Sequence, residues 1–409
     1  MILLAHPFGN ANVRAVLGAF HHANLLAKFI TTVGYARSAS WLPLLPRDAH
    51  RRSYDLPSKK IKIFPVRETM RLLAGAARLP KVTEHERGWA SVDRVWQKLD
   101  ADATRWFCAH KAKENITAVY AYEDCALRLF ENARVLGTRR VYDLPIAYYE
   151  TAQRLLREEA ERYPDWEPTL GGTRDSEAKL ARKRRELELA ELIVCPSNFV
   201  LESLPENARA TKACVMVPFG SPAAAEEKQP TRSNRGRLRV LFAGALTQRK
   251  GLADLFAAMK LIDSAEIELV VMGSLLQPLP WYREQFPNFT YKAPRPHAEV
   301  LRLMRSCDVF VLPSIVEGRA LVQQEAMASG LPLIATRNAG GDDLITEGET
   351  GFLVPIRAPE ALAEKISWCV AHRERVSGMG IAAQKTAAKL TWHGYGEKVL
   401  AAVQTLTGE

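Results

Sequence analysis

LRVLFAG (Leu238–Gly244) leads through the polar turn LTQRKG (Leu246–Gly251) into LADLFAAMKLI (Leu252–Ile262). The first segment is a nearly unbroken apolar run of strand length, and the last repeats its apolar residues at helical spacing. Strand, turn and helix thus follow one another directly. The unit recurs downstream in IELVVMGS (Ile267–Ser274), NFTYKA (Asn288–Ala293), the helix HAEVLRLMRSC, the strand DVFVLPS, the helix ALVQQEAMASG, the strand LPLIAT, the short GFLVP and the helix PEALAEKISWCV. Continuous β-branched runs are strands covered on both faces, and the helices between them make the sheet parallel. The pattern predicts an α/β fold with a doubly wound parallel sheet.

The chain has 409 residues, more than the roughly 250 to 300 at which a single core stops growing, so two domains are expected. The polar stretch EEKQPTRSNRGR (Glu226–Arg237), with Pro230 and Gly236 and no apolar periodicity, reads as the linker. Upstream of it the same grammar returns, with MILLAHP as a strand, NVRAVLGAFHHANLL (Asn12–Leu26) as a helix, and TAVYAYED, RRVYDLP and LIVCPS as strand ends. The expected division is an N-terminal domain over 1–222, a linker over 223–237, a C-terminal domain over 238–385 and a terminal helix over 386–409.

Hydrophobic residues make up 47% of the chain and charged residues 25%, which excludes fibrous and disordered classes. Uncharged stretches such as Leu269–Tyr282 are shorter than the roughly 18 apolar residues that a membrane span needs. The N-terminus lacks a basic region ahead of its apolar run and resembles a first buried strand more than a signal peptide, so a cytoplasmic protein is expected. The six cysteines are scattered, with no CxxC and no clustered histidines, which argues against a disulfide framework or a zinc site. Net charge is +10, and residues 1–222 carry 34 Lys and Arg against 26 Asp and Glu.

In doubly wound sheets ligands lie beyond the carboxyl ends of strands, where loops meet helix N-termini. EGRALVQQEA (Glu317–Ala326) occupies such a place, after the strand DVFVLPS. Glu317 falls in the loop with Gly318, and a helix starting near Arg319 or Ala320 would aim the amides of residues 319–322 at the loop mouth, a site suited to phosphate. Glu325 falls on the apolar side of that helix, where an unpaired carboxylate is costly and calls for a partner. Two glutamates eight apart are most often solvated, and only their setting argues otherwise.

That setting, with EGRALVQQEAMASGLPLIATRNAGG flanked by VLFAGALTQRKG, VVMGS, CDVFVLPS and LITEGETGFLVP, resembles the donor site of family 4 glycosyltransferases over nearly all of Arg237–Val370. The resemblance implies a GT-B fold, with two Rossmann-like domains facing a cleft and the last helix returning to the N-terminal domain. It implies a retaining transfer of a sugar from a nucleotide-diphosphate sugar to a hydroxyl acceptor. In that site Glu317 would meet the sugar hydroxyls, and the turn glycines Gly244 and Gly273 would approach the donor. Gly318, Arg319, Ala320, Leu321 and Val322 would hold the diphosphate, and Glu325 the ribose. Lys250 with Arg249 would neutralise the departing diphosphate, so no metal or cofactor is implied. One departure is Ala245, where the family often has arginine directly after the turn glycine; Arg249 is the candidate to supply that charge.

In the first half, the loop carrying Gly9 and Asn10 after MILLAHP resembles the family's glycine-bearing loop, and is otherwise an ordinary Gly-Asn turn. LELAELIVCPSNFVLESL and VPFGS resemble the end of the family's N-terminal domain. Many relatives have a histidine where this chain has Tyr122, Glu123 and Asp124. Glu123 or Asp124 could contact the sugar or acceptor as acid or base, or cap the next helix, CALRLFENA. His110 and His6 rank lower, as residues more often found satisfied in cores. The tract Arg47–Lys81 holds ten Lys and Arg against three Asp and Glu, and its part RETMRLLAGAARL is amphipathic. A basic amphipathic helix suits an anionic membrane surface, or is a solvated helix that aids solubility; nucleic acid is disfavoured by few aromatics and no binding motif. Arg182–Arg185 in ARKRRELELA reads as a helix face. A glycan, a lipid-linked molecule or a small molecule would be the acceptor, on a cytoplasmic protein or one peripheral to the inner face of the membrane. The alternatives are a non-catalytic relative that binds a nucleotide sugar, or a nucleotide-sugar epimerase or hydrolase.

Overall fold

The computed structural model describes residues 1–39, 52–222 and 236–408. The linker lies outside these except for Gly236 and Arg237, as do Arg47–Arg51 of the basic tract. The strands in chain order are β1 (Ile2–Ala5), β2 (Leu26–Thr31), β3 (Tyr35–Ala36), β4 (Ser53–Tyr54), β5 (Ile61–Ile63), β6 (Ala118–Tyr122), β7 (Arg139–Asp143), β8 (Leu192–Cys195), β9 (Ala213–Met216), β10 (Leu238–Ala243), β11 (Ile267–Met272), β12 (Phe289–Lys292), β13 (Val309–Leu312), β14 (Leu333–Thr336) and β15 (Gly351–Val354).

Among the described residues they form a seven-stranded sheet ordered β5-β2-β1-β6-β7-β8-β9, a six-stranded sheet ordered β12-β11-β10-β13-β14-β15, and the small pair β3-β4. Every pairing in both large sheets is parallel. β1 and β10 are interior strands of their sheets, with Leu3, Leu4, Val240, Leu241 and Phe242 fully buried. In each sheet the chain winds one way from that strand and then the other. The loops after β1 and after β10 therefore part at a switch point, and a crevice opens there.

The helix expected over Asn12–Leu26 is instead Ala11–His22. Asn24, at φ 58°, turns the chain left-handed, and Leu26 already opens β2. The last helix, Trp392–Thr407, lies on Ala11–His22, and its Tyr395, Val399 and Val403 join Val13, Val16 and Phe20 in one core. The approach is close, since a Cβ on Gly396 would stand 2.5 Å from the Ala15 carbonyl oxygen. A polar bridge joins the halves elsewhere. Glu159, fully buried on the helix Tyr149–Arg162, accepts from Arg357 and from Gln248 Nε2 (2.6 Å), and Arg162 pairs with Asp254 at 2.6 Å.

Candidate functional site

The loops after β1, β10 and β13 line one cleft of about 680 Å³, into which Asn10, Gly244, Lys250, Glu317 and Glu325 all converge. Glycine is required beneath it, because Gly244 and Gly273 have φ of 155° and 148°, and a Cβ on Gly273 would stand 1.6 Å from the Gly244 carbonyl oxygen. After β10 a single 3₁₀ turn, Gln248–Lys250, is held by Thr247, whose hydroxyl accepts from the Arg249 amide at 3.1 Å. It presents Lys250 Nζ to Glu317 Oε1 at 2.5 Å and Arg249 Nη1 to the same oxygen at 2.7 Å. Burial lowers the Lys250 pKa, and the Glu317 charge opposes that shift. Arg249 also donates to the Val316 carbonyl and stands behind Glu317, outside the cleft lining. It backs the acid, and does not fill the place left by Ala245.

The helix after β13 begins at Leu321, one or two residues later than expected. The Ala320 amide is therefore committed to the Ala339 carbonyl at 3.1 Å, whereas those of Leu321 and Val322 donate to no acceptor among the described residues. The Arg319 side chain is buried against Asp343 at 2.7 Å, so it is the backbone of this residue that is left for a ligand. Gly318 passes under the N-terminal half, where a Cβ would come within 1.7 Å of the Pro145 carbonyl oxygen. Glu325 is half-buried, and its partner is His297 Nε2 at 3.0 Å. His297 and Arg295, which the sequence reading missed, line the cleft beside it.

On the N-terminal side, Asn10 precedes the helix Ala11–His22 and lines the cleft, while Gly9 sits under the Tyr54 ring. Glu123 and Asp124 do not cap the next helix, Leu127–Val135. Its first amides donate to Glu186 and Asp100 from two other helices. Glu123 pairs with Lys183 at 2.8 Å, and Asp124 with Arg182 at 2.8 Å and Lys183 at 3.0 Å. Arg182 and Lys183, read as part of a helix face, are thus turned inward. Burial raises the pKa of Glu123, whereas the surrounding cations bring that of Asp124 below the usual range despite its burial. Both acids line a second cavity of about 420 Å³, which shares Pro145, Glu317 and Arg319 with the first.

His6 is fully buried, accepts from the Phe8 amide at 3.0 Å, and has its pKa pushed down to about 3 by burial, so it is a neutral core residue. His110 stacks on Trp106 and hydrogen-bonds the Trp106 carbonyl, away from both cavities. The fold also gathers His85, Glu86 and Asp175, with ligand atoms within 4.8 Å of one another, a grouping not visible in the sequence. These atoms are already engaged: Asp175 accepts from Lys179, and Glu86 from Ser176.

Residues 224–386 match the family described as glycosyl transferases group 1. An uncharacterized glycosyltransferase of Methanocaldococcus jannaschii is 28% identical over 213 residues, covering 50% of this chain and 56% of that protein. A GDP-mannose-dependent alpha-mannosyltransferase of Mycobacterium tuberculosis is 30% identical over 229 residues, covering 53% and 60%. The chain thus spans under two thirds of the length of these curated relatives. In three dimensions it is similar to sucrose-phosphate synthase from Thermosynechococcus elongatus, with a TM-score of 0.70 at 17% identity over 100% of this chain and 99% of that one. Anabaena HepE in complex with UDP gives a TM-score of 0.63 at 15% identity over 99% of both chains. These likenesses show the GT-B fold along the whole chain, and the match to the glycosyl transferases group 1 falls on its C-terminal half, over residues 224–386.

Proposed function

We propose that the protein is a retaining glycosyltransferase that moves a hexose from a nucleotide-diphosphate sugar to a hydroxyl acceptor. The observation that carries this is the convergence on one cleft of Lys250, Glu317, Glu325 and the open amides of Leu321 and Val322. A carboxylate accepting from vicinal hydroxyls suits Glu325 to a ribose and Glu317 to a sugar ring. The amides at the helix start suit the diphosphate, and Lys250 stabilises the charge it gains on leaving. The bond between the anomeric carbon and the diphosphate oxygen breaks, and one from that carbon to the acceptor oxygen forms. The acceptor proton passes to the departing phosphate, so no protein base is needed where relatives keep a histidine. Lys250 takes the part a divalent cation would otherwise play, and the reaction is metal-independent.

The similar HepE structure contains UDP and a similar mannosyltransferase uses GDP-mannose, so donors of both kinds belong in the test. UDP-, GDP- and ADP-sugars are screened by thermal shift and then for nucleotide release with and without acceptor. A stabilising shift with one of them and acceptor-dependent release are expected; no shift with any refutes the donor site.

The same reading extends to a membrane. No helix among the described residues is long and apolar enough to cross one. The helix Val66–Ala76, however, buries only Glu68 and Ala74 and leaves Val66, Met70, Leu72 and Leu73 exposed, with Arg67 and Arg71 on the same element. An exposed apolar face among cations fits the anionic inner surface of a membrane, where a lipid-linked acceptor would be presented.

A further inference from the structure

The second cavity adjoins the cleft at Glu317, on the N-terminal side. One wall is aromatic, with Trp96 standing edge-on to Tyr122 at 5.6 Å between ring centroids. Its charged lining comprises the acids Asp93, Glu123, Asp124 and Glu317 beside His85, Lys179 and Arg319. The cations that balance these acids are already spent. Lys179 lies 3.0 Å from Asp93 and 2.8 Å from Asp175, and Lys183 bridges Glu123 and Asp124. Arg319 is held by Asp343, and His85 at the rim lies between Asp175 and Asp93. No cation lining this cavity, among the described residues, lacks a carboxylate partner.

Carboxylates only accept hydrogen bonds, so a ligand must bring donors, hydroxyl or ammonium. A phosphate or carboxylate brought here would find no cation that is not already paired with a carboxylate, and would have to displace one of those acids to be neutralised. A flat aromatic wall suits the C–H face of a sugar ring. We propose that this cavity binds the acceptor as an uncharged or amino-bearing saccharide, its ring against Trp96 and its donors on Asp93 and Glu123, and that it rejects phosphorylated or uronic acceptors. This rests on the transferase reading above, which places the donor sugar at Glu317.

Saturation-transfer NMR on the full chain reads binding without turnover, with methyl glycosides, glucosamine, glucose 6-phosphate and glucuronic acid as probes. The methyl glycosides and glucosamine are expected to bind, and the two acidic sugars about tenfold more weakly or not at all. Trp96→Ala should weaken the neutral sugars about fivefold and Trp96→Phe restore them. Asp93→Asn provides a second variant in case Trp96→Ala fails to fold. Equal or tighter binding of the acidic sugars, binding indifferent to both variants, or no saccharide binding overturns the proposal. Nucleotide-sugar thermal shifts on the same wild-type protein separate the two readings. A donor shift alongside any of those outcomes refutes the acceptor class alone, whereas its absence refutes the donor site and with it the cavity's role as acceptor site.

Discussion

A single oxygen of Glu317 holds both Lys250 and Arg249, so a diphosphate and a sugar hydroxyl would each take over part of an existing ion cluster. Lys250→Ala should lower kcat by roughly 10²- to 10³-fold, the size seen when one donor to developing charge is lost. Glu325→Ala removes a hydrogen bond to a charged group and should raise the donor Kd roughly tenfold with a smaller effect on kcat, measured by titration and steady-state kinetics. Glu317 and Glu325 were legible because they lie in one contiguous segment whose spacing sets loop against helix. His297 was not, since it reaches Glu325 from 28 residues away. Asp143 offers a test outside the cleft. It is buried among Tyr120 and Tyr395, and burial raises its pKa from 3.8 to about 7. The folded state then keeps a proton that the unfolded state releases, so this residue's contribution is full below pH 3.8 and is lost as pH rises towards about 7. The loss is about 1.4 kcal/mol per pH unit within that window. Urea unfolding at pH 5 and pH 7 should show Asp143→Asn gaining on the wild type as pH rises; a constant difference would show that the carboxyl is already ionised.

The helix Val66–Ala76 announced itself by apolar residues spaced among arginines, but the pattern did not say which way its apolar residues face. Val66 and Leu73 are 67% and 58% exposed, so replacing both by glutamate should cost the fold little. It should, however, reduce flotation with anionic vesicles, since each basic residue near such a surface contributes about 1 kcal/mol and the new acids oppose it. Equal partition of the wild type into anionic and neutral vesicles would remove the electrostatic argument. The last helix makes the opposite case, because its position depends on a missing side chain. Gly396→Val should destabilise the protein by about 1–3 kcal/mol, as the new Cβ meets the Ala15 carbonyl and forces the two helices apart. An unchanged unfolding midpoint would show that the contact yields freely.

Between the halves, Glu159 is the buried acid on which the polar bridge depends, with Arg357 and Gln248 as partners. Glu159→Ala leaves Arg357 with Glu158 and Gln248 with Asp254 as remaining partners and should cost about 1–3 kcal/mol, measured by denaturant unfolding. Because Gln248 opens the turn that carries Lys250, the same change should also weaken donor binding. A stable variant with native donor affinity would show the bridge to be dispensable. Apolar runs of strand length, separated by helical periodicity, are local properties of the chain. They determined by themselves that β10 to β15 form a parallel sheet and that Glu317 and Glu325 stand at its carboxyl edge. Charge pairing over long separations is not local. Arg182 and Lys183 read as a surface run, and Glu123 and Asp124 as catalysts or caps, until the fold set one pair against the other across some 60 residues. Only the tertiary structure decided that a second, acidic cavity lies beside the donor cleft, because burial and proximity, which fix where each charge is neutralised, arise when the elements pack.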